Sequence, residues 1–139
     1  MIKFKFRLEK LLMVRQKAEE AAKKAYLEAR ARRIAAEGEL EAMESQRVMA
    51  GRESAIDLAA RIVRDAYLTR LEDEIRAFQV TLNVVRDDEE QLRQAWIARK
   101  QDTEALSKLK ENDWMAYQKE ALRQEQIALD EWAVMRRVA

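Results

Sequence analysis

Proline is absent from this chain of 139 residues, and glycine occurs only twice, at Gly38 and Gly51. Both residue types interrupt helices, so a chain that almost lacks them can continue as helix over long stretches. Charged residues make up 38% of the sequence, and Ala, Glu, Arg, Lys and Leu dominate it. This composition is typical of long helices and coiled coils, whereas the scarcity of β-branched and turn residues disfavours strands. We therefore expect an all-α fold.

The chain lacks the side chains on which most enzymes and metal sites depend. It has no cysteine and no histidine, so the thiol nucleophile and the commonest general base and metal ligand are missing. Carboxylates cluster at 72–74 and 87–90, but paired acids act as catalysts only inside a pocket that shifts their pKa values. Solvated helix faces explain these clusters better. We expect no enzyme activity, no catalytic residue, no cofactor, no bound metal and no small-molecule substrate.

Charge and hydropathy limit the partners and the compartment. The formal net charge is +1, with both signs mixed along the chain, which argues against nucleic acid because that ligand selects a concentrated basic face. No apolar run approaches the roughly 20 residues that span a bilayer. Charges such as Arg7, Glu9 and Lys10 interrupt any signal-peptide core. We expect a cytoplasmic protein.

The first half of the chain carries a heptad pattern, in which seam positions follow one another at alternating steps of three and four residues. The seam positions are Leu8, Leu11, Arg15, Ala18, Ala22, Ala25 and Ala29. After a one-step phase slip near residues 32–33, the pattern continues through Ala36, Leu40 and Met43. This pattern predicts a helix whose buried face is lined mainly by alanine.

The second half repeats the heptad pattern with larger side chains. Its seam positions are Ile75, Phe78, Leu82, Val85, Glu89, Leu92, Trp96, Arg99, Thr103 and Leu106. Upstream, the stripe is expected to continue through Ile56, Ala60, Val63, Tyr67 and Leu71. Two facing heptad seams predict a pair of long helices in a coiled coil.

The reversal between the helices is expected in the stretch VMAGRESA, residues 48–55. Gly51 can end a helix at little steric cost, and Ser54 can cap the next helix through its hydroxyl. We predict a single coiled-coil domain over 1–139, an antiparallel hairpin with helix one at about 4–48, the reversal at about 49–54 and a longer helix two at about 55–137. Asn112 is the candidate position for a bend in helix two.

A reversal there sets the register, so that residue i of helix one lies opposite a residue near 106 minus i. The alanine seam then faces the bulky region around Val85, Leu82 and Phe78, where small residues fit against large ones. A reversal at the midpoint of the chain would instead face that seam with the poorly patterned region 106–118. In the predicted register helix two extends past helix one by about 33 residues, or roughly 50 Å.

Basic residues crowd the N-terminus, where Lys3, Lys5, Arg7 and Lys10 outnumber the single acid Glu9. One interpretation is a solvated, frayed terminus. The other is an electrostatic tip that meets an acidic partner surface. A helix dipole disfavours cations at an N-terminus, so the cluster lowers the stability of the helix. This cost slightly favours the interpretation that the cations bind a partner.

Aromatic residues at helical spacing form the other candidate surfaces. The run Tyr67, Leu71, Glu74 and Phe78 can be seam, or its outer edge can bind a partner. On the overhang, Trp114, Tyr117 and Trp132 can anchor another protein or pack on their own helix.

Three segments together resemble a known family. They are FKFRLEKLLMVRQKAEEAA at 4–22, AYLTRLEDEIRAFQVTL at 66–82 and EQIALDEWAVMRR at 125–137. Their order and separation resemble the FliJ family, the small coiled-coil components of the flagellar type III export apparatus. The resemblance implies a hairpin similar to the coiled coil of the γ subunit of rotary ATPases. It also implies peripheral association with the inner-membrane export apparatus.

The resemblance implies partners as well. The free helical ends would enter the pore of a hexameric F1-like export ATPase, the central segment would dock on the membrane export gate, and the chain would escort export chaperones. By position, Tyr67, Leu71, Glu74 and Phe78 occupy the gate face, and the four N-terminal cations lie at the ATPase end. Phe4, Phe6 and Leu8 would then pack on helix two while the cations point outward.

Other functions stay open at this point. The stalk protein of type III injectisomes shares the architecture, and a secretion chaperone or scaffold could bind helical partners without an ATPase. A monomer is expected when the chain is free, whereas a purely structural coiled coil would self-associate through the overhang.

Overall fold

The computed structural model describes residues 3–138 and contains two helices in that range. Helix α1 spans Glu9–Arg52 and helix α2 spans Leu58–Val138, joined by residues 53–57. No strand occurs among the described residues. The structure therefore confirms the all-α fold and the longer second helix.

α1 begins five residues later than predicted. Residues 3–6 have no regular structure, and the amide of Glu9 donates a hydrogen bond to the carbonyl of Phe6 at 3.1 Å. The alternation of cations with phenylalanines is typical of an extended segment rather than of a helix. With Glu9 in its first turn, the helix carries an acid where its dipole favours one. The N-terminal cations at 3, 5 and 7 therefore precede the helix and do not oppose its dipole from within.

The connection also lies later than predicted. α1 continues to Arg52, and neither glycine has a positive φ, so Gly51 remains helical and does not end α1. The cap of α2 is Asp57, whose Oδ1 accepts a 2.7 Å hydrogen bond from the amide of Ala60. The prediction that Ser54 caps this helix is therefore wrong. Asp57 is as good a capping residue, and it lies directly before the helix.

α2 is continuous for 81 residues. It remains helical through Asn112 and Asp113, so these residues neither end the helix nor begin a new one. Both are weaker helix formers than alanine by a fraction of a kcal/mol, which the surrounding helix-forming sequence outweighs.

The chain divides into two compact units. The loop unit, residues 21–96, contains the connection and the adjoining parts of both helices. There Glu37 accepts from Arg86 at 3.1 Å and Glu72 accepts from Arg47 at 2.8 Å. As the number in α1 rises, the number of its partner in α2 falls, so the helices of this unit are antiparallel.

The terminal unit comprises the described residues 3–20 and 97–138. Here Glu9 pairs with Lys110 at 2.8 Å and Arg15 with Asp102 at 3.5 Å. The hydroxyl of the buried Thr103 lies 3.3 Å from the carbonyl oxygen of Arg15 and 3.0 Å from that of Arg99. The same inverse order of residue numbers makes this unit antiparallel as well.

The register predicted from the sequence is wrong by about two heptads. In either unit the numbers of paired residues sum to about 120, as for Arg47 with Glu72 and Glu9 with Lys110, rather than to 106. A shift by whole heptads keeps the same faces in contact. The prediction assumed a tight, symmetric reversal, whereas Arg52 at the end of α1 lies about level with residue 67. The first ten or so residues of α2 therefore extend beyond the end of α1.

Burial follows most of the predicted seam. In α1 the alanines at 18, 22, 25 and 29 are buried or half-buried, and Ala29 is only 1% exposed. In α2 the predicted positions from Ile75 to Leu106 are covered except Arg99, and Leu82 is 2% exposed. At the phase slip, Arg33 donates to Glu89, which gives this seam carboxylate a charged partner.

Two parts of the predicted seam are wrong. Leu12 is buried, whereas the predicted seam residue Leu11 is exposed. From Leu8, a step of four to Leu12 followed by three to Arg15 fits a heptad as well as a step of three to Leu11 followed by four to Arg15. Upstream of Leu71, the half-buried residues of α2 are Leu68 and Arg64, not the predicted stripe, and Arg64 donates a 2.8 Å hydrogen bond to the carbonyl of Glu53 in the connection. Leu68 and Arg64 precede Ile75 and Leu71 by one full heptad, which explains their position.

We expect Ala29→Leu to lower the free energy of unfolding by about 1–3 kcal/mol, because a larger side chain overpacks the tightest point of the seam. Ala35→Leu, at an exposed position of the same helix, is the matched control and should stay within about 0.5 kcal/mol of the parent. Urea unfolding followed by circular dichroism measures both. Equal stability of the two variants would contradict close packing at Ala29.

Glu37 makes stability depend on pH. Its pKa is lowered by the hydrogen bond from Arg86 and, to a smaller extent, by that from Arg33, despite some desolvation. A carboxylate whose pKa is lower in the folded state stabilises the fold above its unfolded pKa, near 4.5, and this stabilisation is lost as pH falls through the folded pKa.

We therefore expect Glu37→Gln to lower Tm at pH 7 and to have a smaller effect at pH 3, because the protonated fraction of the parent carboxylate rises as pH falls. Glu39→Gln, at an exposed position that forms no ion pair with another of residues 3–138, should show no such pH dependence. A Tm difference that is the same at both pH values would contradict this role of Glu37.

Candidate interaction surfaces

The basic residues at the N-terminus are all accessible. Lys3, Lys5, Arg7 and Lys10 are exposed, and none forms an ion pair with another residue of 3–138. The neighbouring acid, Glu9, is engaged by Lys110. The four cations therefore give this end of the terminal unit a positive surface that no acid among residues 3–138 neutralises.

An aromatic cluster fixes the segment that carries these cations. The ring of Phe4 meets Trp114 edge-on at 5.1 Å and lies 5.5 Å from Tyr117. Trp114 and Tyr117 are stacked at 5.7 Å, and Phe6 is buried. The family resemblance implies that Phe4 and Phe6 pack on helix two, but it does not identify the residues that they contact. The register error concealed those partners, because it placed Trp114 and Tyr117 on the free overhang.

The predicted gate face is only partly accessible. Tyr67 is 43% exposed, Glu74 is exposed and pairs with Arg70 at 3.3 Å, and Phe78 is half-buried. Leu71 is 4% exposed and belongs to the seam between the helices. The structure therefore offers Tyr67, Glu74 and the edge of Phe78 to a partner, while Leu71 supports them from the interior.

Apolar residues near the connection form an exposed surface, and two of them, Ile56 and Val63, were predicted to belong to the seam. Ile56 is 98% exposed, and Leu58, Ile62 and Val63 are also largely exposed. These residues are uncovered because the connection and the first residues of α2 extend beyond the C-terminal end of α1. The sequence contains the apolar residues, but only the register shows that α1 leaves them accessible.

The C-terminal part of α2 has no covering helix in the described structure. Every residue from 118 to 138 is exposed, including Leu122, Leu129 and Trp132. At 1.5 Å per residue this segment is about 30 Å long, shorter than the predicted overhang. The guanidinium of Arg136 lies 5.1 Å from the ring centroid of Trp132, so this tryptophan packs partly on its own helix and keeps its remaining surface free.

The carboxylates do not resemble catalytic or metal-binding groups. Hydrogen bonds from Arg93 and Arg123 lower the pKa values of Glu90 and Glu120, which keeps these groups charged and poorly suited as proton donors. Within residues 3–138, no group of three or more acidic, cysteine or histidine side chains is placed to hold a metal ion. Among the same residues, neither helix is long and apolar enough to cross a membrane.

Comparison with known proteins gives one match. No curated protein and no solved structure is similar enough to the chain to be matched. A family model does match, and its description is flagellar FliJ protein.

The match extends over residues 4–138 and so includes Lys5, Arg7 and Lys10, the aromatic cluster, both helices and the exposed C-terminal part of α2. Members of this family are non-catalytic components of flagellar type III protein export. Because the family model covers nearly the whole sequence, this chain belongs to the flagellar FliJ protein family.

Proposed function

We propose that this chain is a stalk of the flagellar export machinery, which inserts into the hexameric export ATPase, connects it to the membrane export gate and escorts export chaperones. The observation that carries the proposal is the antiparallel hairpin whose second helix continues uncovered past the first. A coiled coil of this kind is similar to the γ-subunit coiled coil of rotary ATPases. On this proposal the protein acts at the cytoplasmic side of the inner membrane, peripherally and as a monomer when free.

The ATPase contact is assigned to the terminal unit. Lys3, Lys5, Arg7 and Lys10 supply exposed positive charge, and α2 adds the exposed residues 118–138. Charge of one sign at a binding surface accelerates association with an oppositely charged partner and helps to orient it. The cations guide the chain to an acidic ring lining, and the apolar side chains of α2, with Trp132 among them, make the closer contacts.

The gate contact is assigned to Tyr67, Glu74 and the accessible edge of Phe78. Tyrosine is enriched among residues that dominate binding energy, because it offers a large apolar surface and a polar tip. The ion pair of Glu74 with Arg70 is exposed and contributes little to folding, so both side chains can be redirected toward a partner. Leu71 has an indirect role, since it holds this surface of α2 against α1.

A second candidate function is a scaffold that binds helical partners without an ATPase. The uncovered Leu122 and Leu129 favour it, because apolar side chains seven residues apart lie on one helix face and can pack against another helix. The two functions differ in one measurement. A stalk changes the oligomerisation or turnover of the export ATPase, whereas a scaffold forms a stoichiometric complex with its cargo and leaves the ATPase unaffected.

We expect replacement of Lys3, Lys5, Arg7 and Lys10 by glutamine to weaken association with the export ATPase and to flatten its dependence on salt. Charges that are exposed act over a Debye length of about 10 Å at 0.1 M salt, so their contribution is largest at low ionic strength. Affinity is measured by surface plasmon resonance across a salt series, together with ATPase turnover.

The control replaces four other exposed cations, Lys17, Lys24, Arg30 and Arg32, by glutamine and keeps the net charge equal to that of the test variant. The two variants should differ clearly at low salt. If both bind as tightly as the parent at low salt, the assignment of the ATPase contact to the basic segment is wrong.

We expect substitution of Tyr67 to affect binding and substitution of Leu71 to affect folding. Tyr67→Ala should reduce affinity for the cytoplasmic part of the export gate about tenfold or more and leave stability within about 0.5 kcal/mol. Leu71→Ala should lower the free energy of unfolding by about 2–5 kcal/mol, because it leaves a cavity in the seam. Calorimetric titration and urea unfolding measure the two effects.

Val80→Ala, another exposed apolar position of α2, is the control for Tyr67 and should bind the gate normally. Unchanged gate affinity of Tyr67→Ala would remove this tyrosine from the proposed contact.

A further inference from the structure

The segment before α1 has two different sides. Lys3, Lys5 and Arg7 are exposed, whereas Phe4 is half-buried and Phe6 is buried. Alternate side chains of an extended segment point to opposite sides, and those on one side lie about 6.6 Å apart. We call Lys3, Lys5 and Arg7 the cation row. The row faces outward because the two phenylalanines occupy the inner side.

The inner side holds the row in place. Phe4 contacts Trp114 and Tyr117 at ring distances of 5.1 Å and 5.5 Å, and its edge-on geometry with Trp114 is a favourable one for aromatic rings. Phe6 is almost completely buried. The ring of Phe4 therefore attaches the cation row to α2, and the burial of Phe6 anchors the segment, so the row is not a freely moving tail.

The charge of the row is available to a partner. The nearest acid in the sequence, Glu9, forms a 2.8 Å ion pair with Lys110. No ion pair joins a member of the row to another described residue. Three accessible cations in a line, on a segment with a fixed position, form a preorganised surface that loses little freedom on binding.

We infer that the cation row binds an acidic α-helix of the partner, and that Phe4, Trp114 and Tyr117 position the row. Residues four apart on a helix are separated by about 6 Å along its axis and lie on one face. This distance nearly matches the roughly 6.6 Å expected between alternate side chains of an extended segment, so three carboxylates at successive steps of four can each meet one cation of the row. The inference rests on the proposed function and specifies the acidic feature that the basic segment recognises.

The test uses two synthetic helical peptides of the same composition as probes. The aligned peptide carries three glutamates at steps of four, and the scattered peptide distributes them around the helix. The full-length chain should bind the aligned peptide more tightly, by about fourfold if each exposed pair contributes about twofold and the scattered peptide still forms one pair. Fluorescence anisotropy at low salt measures both affinities. Equal affinities overturn the inference.

The positioning role is tested with Phe4→Ala, which leaves every charge in place. This variant should lose most of the preference for the aligned peptide, and Phe4→Trp, which restores a ring, should regain it. Val84→Ala, an exposed apolar position of α2 outside the proposed contacts, is the matched control and should keep the preference. Retention of the full preference by Phe4→Ala overturns the positioning role.

The outcomes separate this inference from the proposed function. If the glutamine variant of the four cations loses ATPase association while the parent shows no peptide preference, the proposed function stands and this inference fails. If the parent prefers the aligned peptide but the glutamine variant still binds the ATPase normally, the inference stands and the proposed ATPase contact fails.

Discussion

α1 and α2 are held in register by polar side chains that cross between them. Arg33 donates to Glu89, Arg86 donates to Glu37, and the rings of Tyr26 and Trp96 stack at 5.6 Å with Lys23 above Trp96. The alanines of α1 allow the two helices to approach closely. Because these side chains are small and alike, they would pack about equally well in many alignments of α1 along α2. The paired charges and rings have few equivalent positions, so they select one alignment among those that the seam allows.

This register decides which surfaces the chain can offer. It covers Leu71 and Leu82, leaves Ile56 to Val63 exposed near the connection, and brings Phe4 to Trp114 and Tyr117. A shift of α1 by one heptad would keep the seam apolar yet move each of these contacts by about 10 Å. The candidate binding surfaces of this protein therefore depend on the same interhelical pairs as its fold.

The sequence was sufficient to predict the helices and most of the seam, because heptad spacing directly reflects which side of a helix is buried. It was insufficient to predict the register. A seam that repeats every seven residues looks the same after a shift of seven or fourteen, and the prediction used the assumption of a symmetric turn to choose between the alternatives. The pairs Arg33–Glu89 and Glu37–Arg86 contain the missing information. They can be recognised only when charges on both helices are compared at each allowed shift.

The candidate surfaces were likewise predictable from the sequence only in part. The basic segment was evident from composition, since four cations against one acid need no structure to be noticed. The conformation of this segment was not evident, because the predicted helix from about residue 4 would have placed Lys5 and Arg7 on different sides of its axis. Helix propensity does not exclude that outcome, and Lys and Arg are good helix formers. Burial of Phe6 and the contacts of Phe4 favour an extended segment instead, so tertiary packing overrides local preference here.

This arrangement explains why positive charge precedes a helix whose dipole would repel it. The repulsion falls off within the first turn, and a segment held along α2 by aromatic contacts keeps its cations outside that turn. Glu9 then occupies the position at which the dipole favours an acid, and its ion pair with Lys110 joins the start of α1 to α2. One acid thus stabilises the helix end and the seam together. The cations before it contribute to neither, and this leaves them free to be selected for binding.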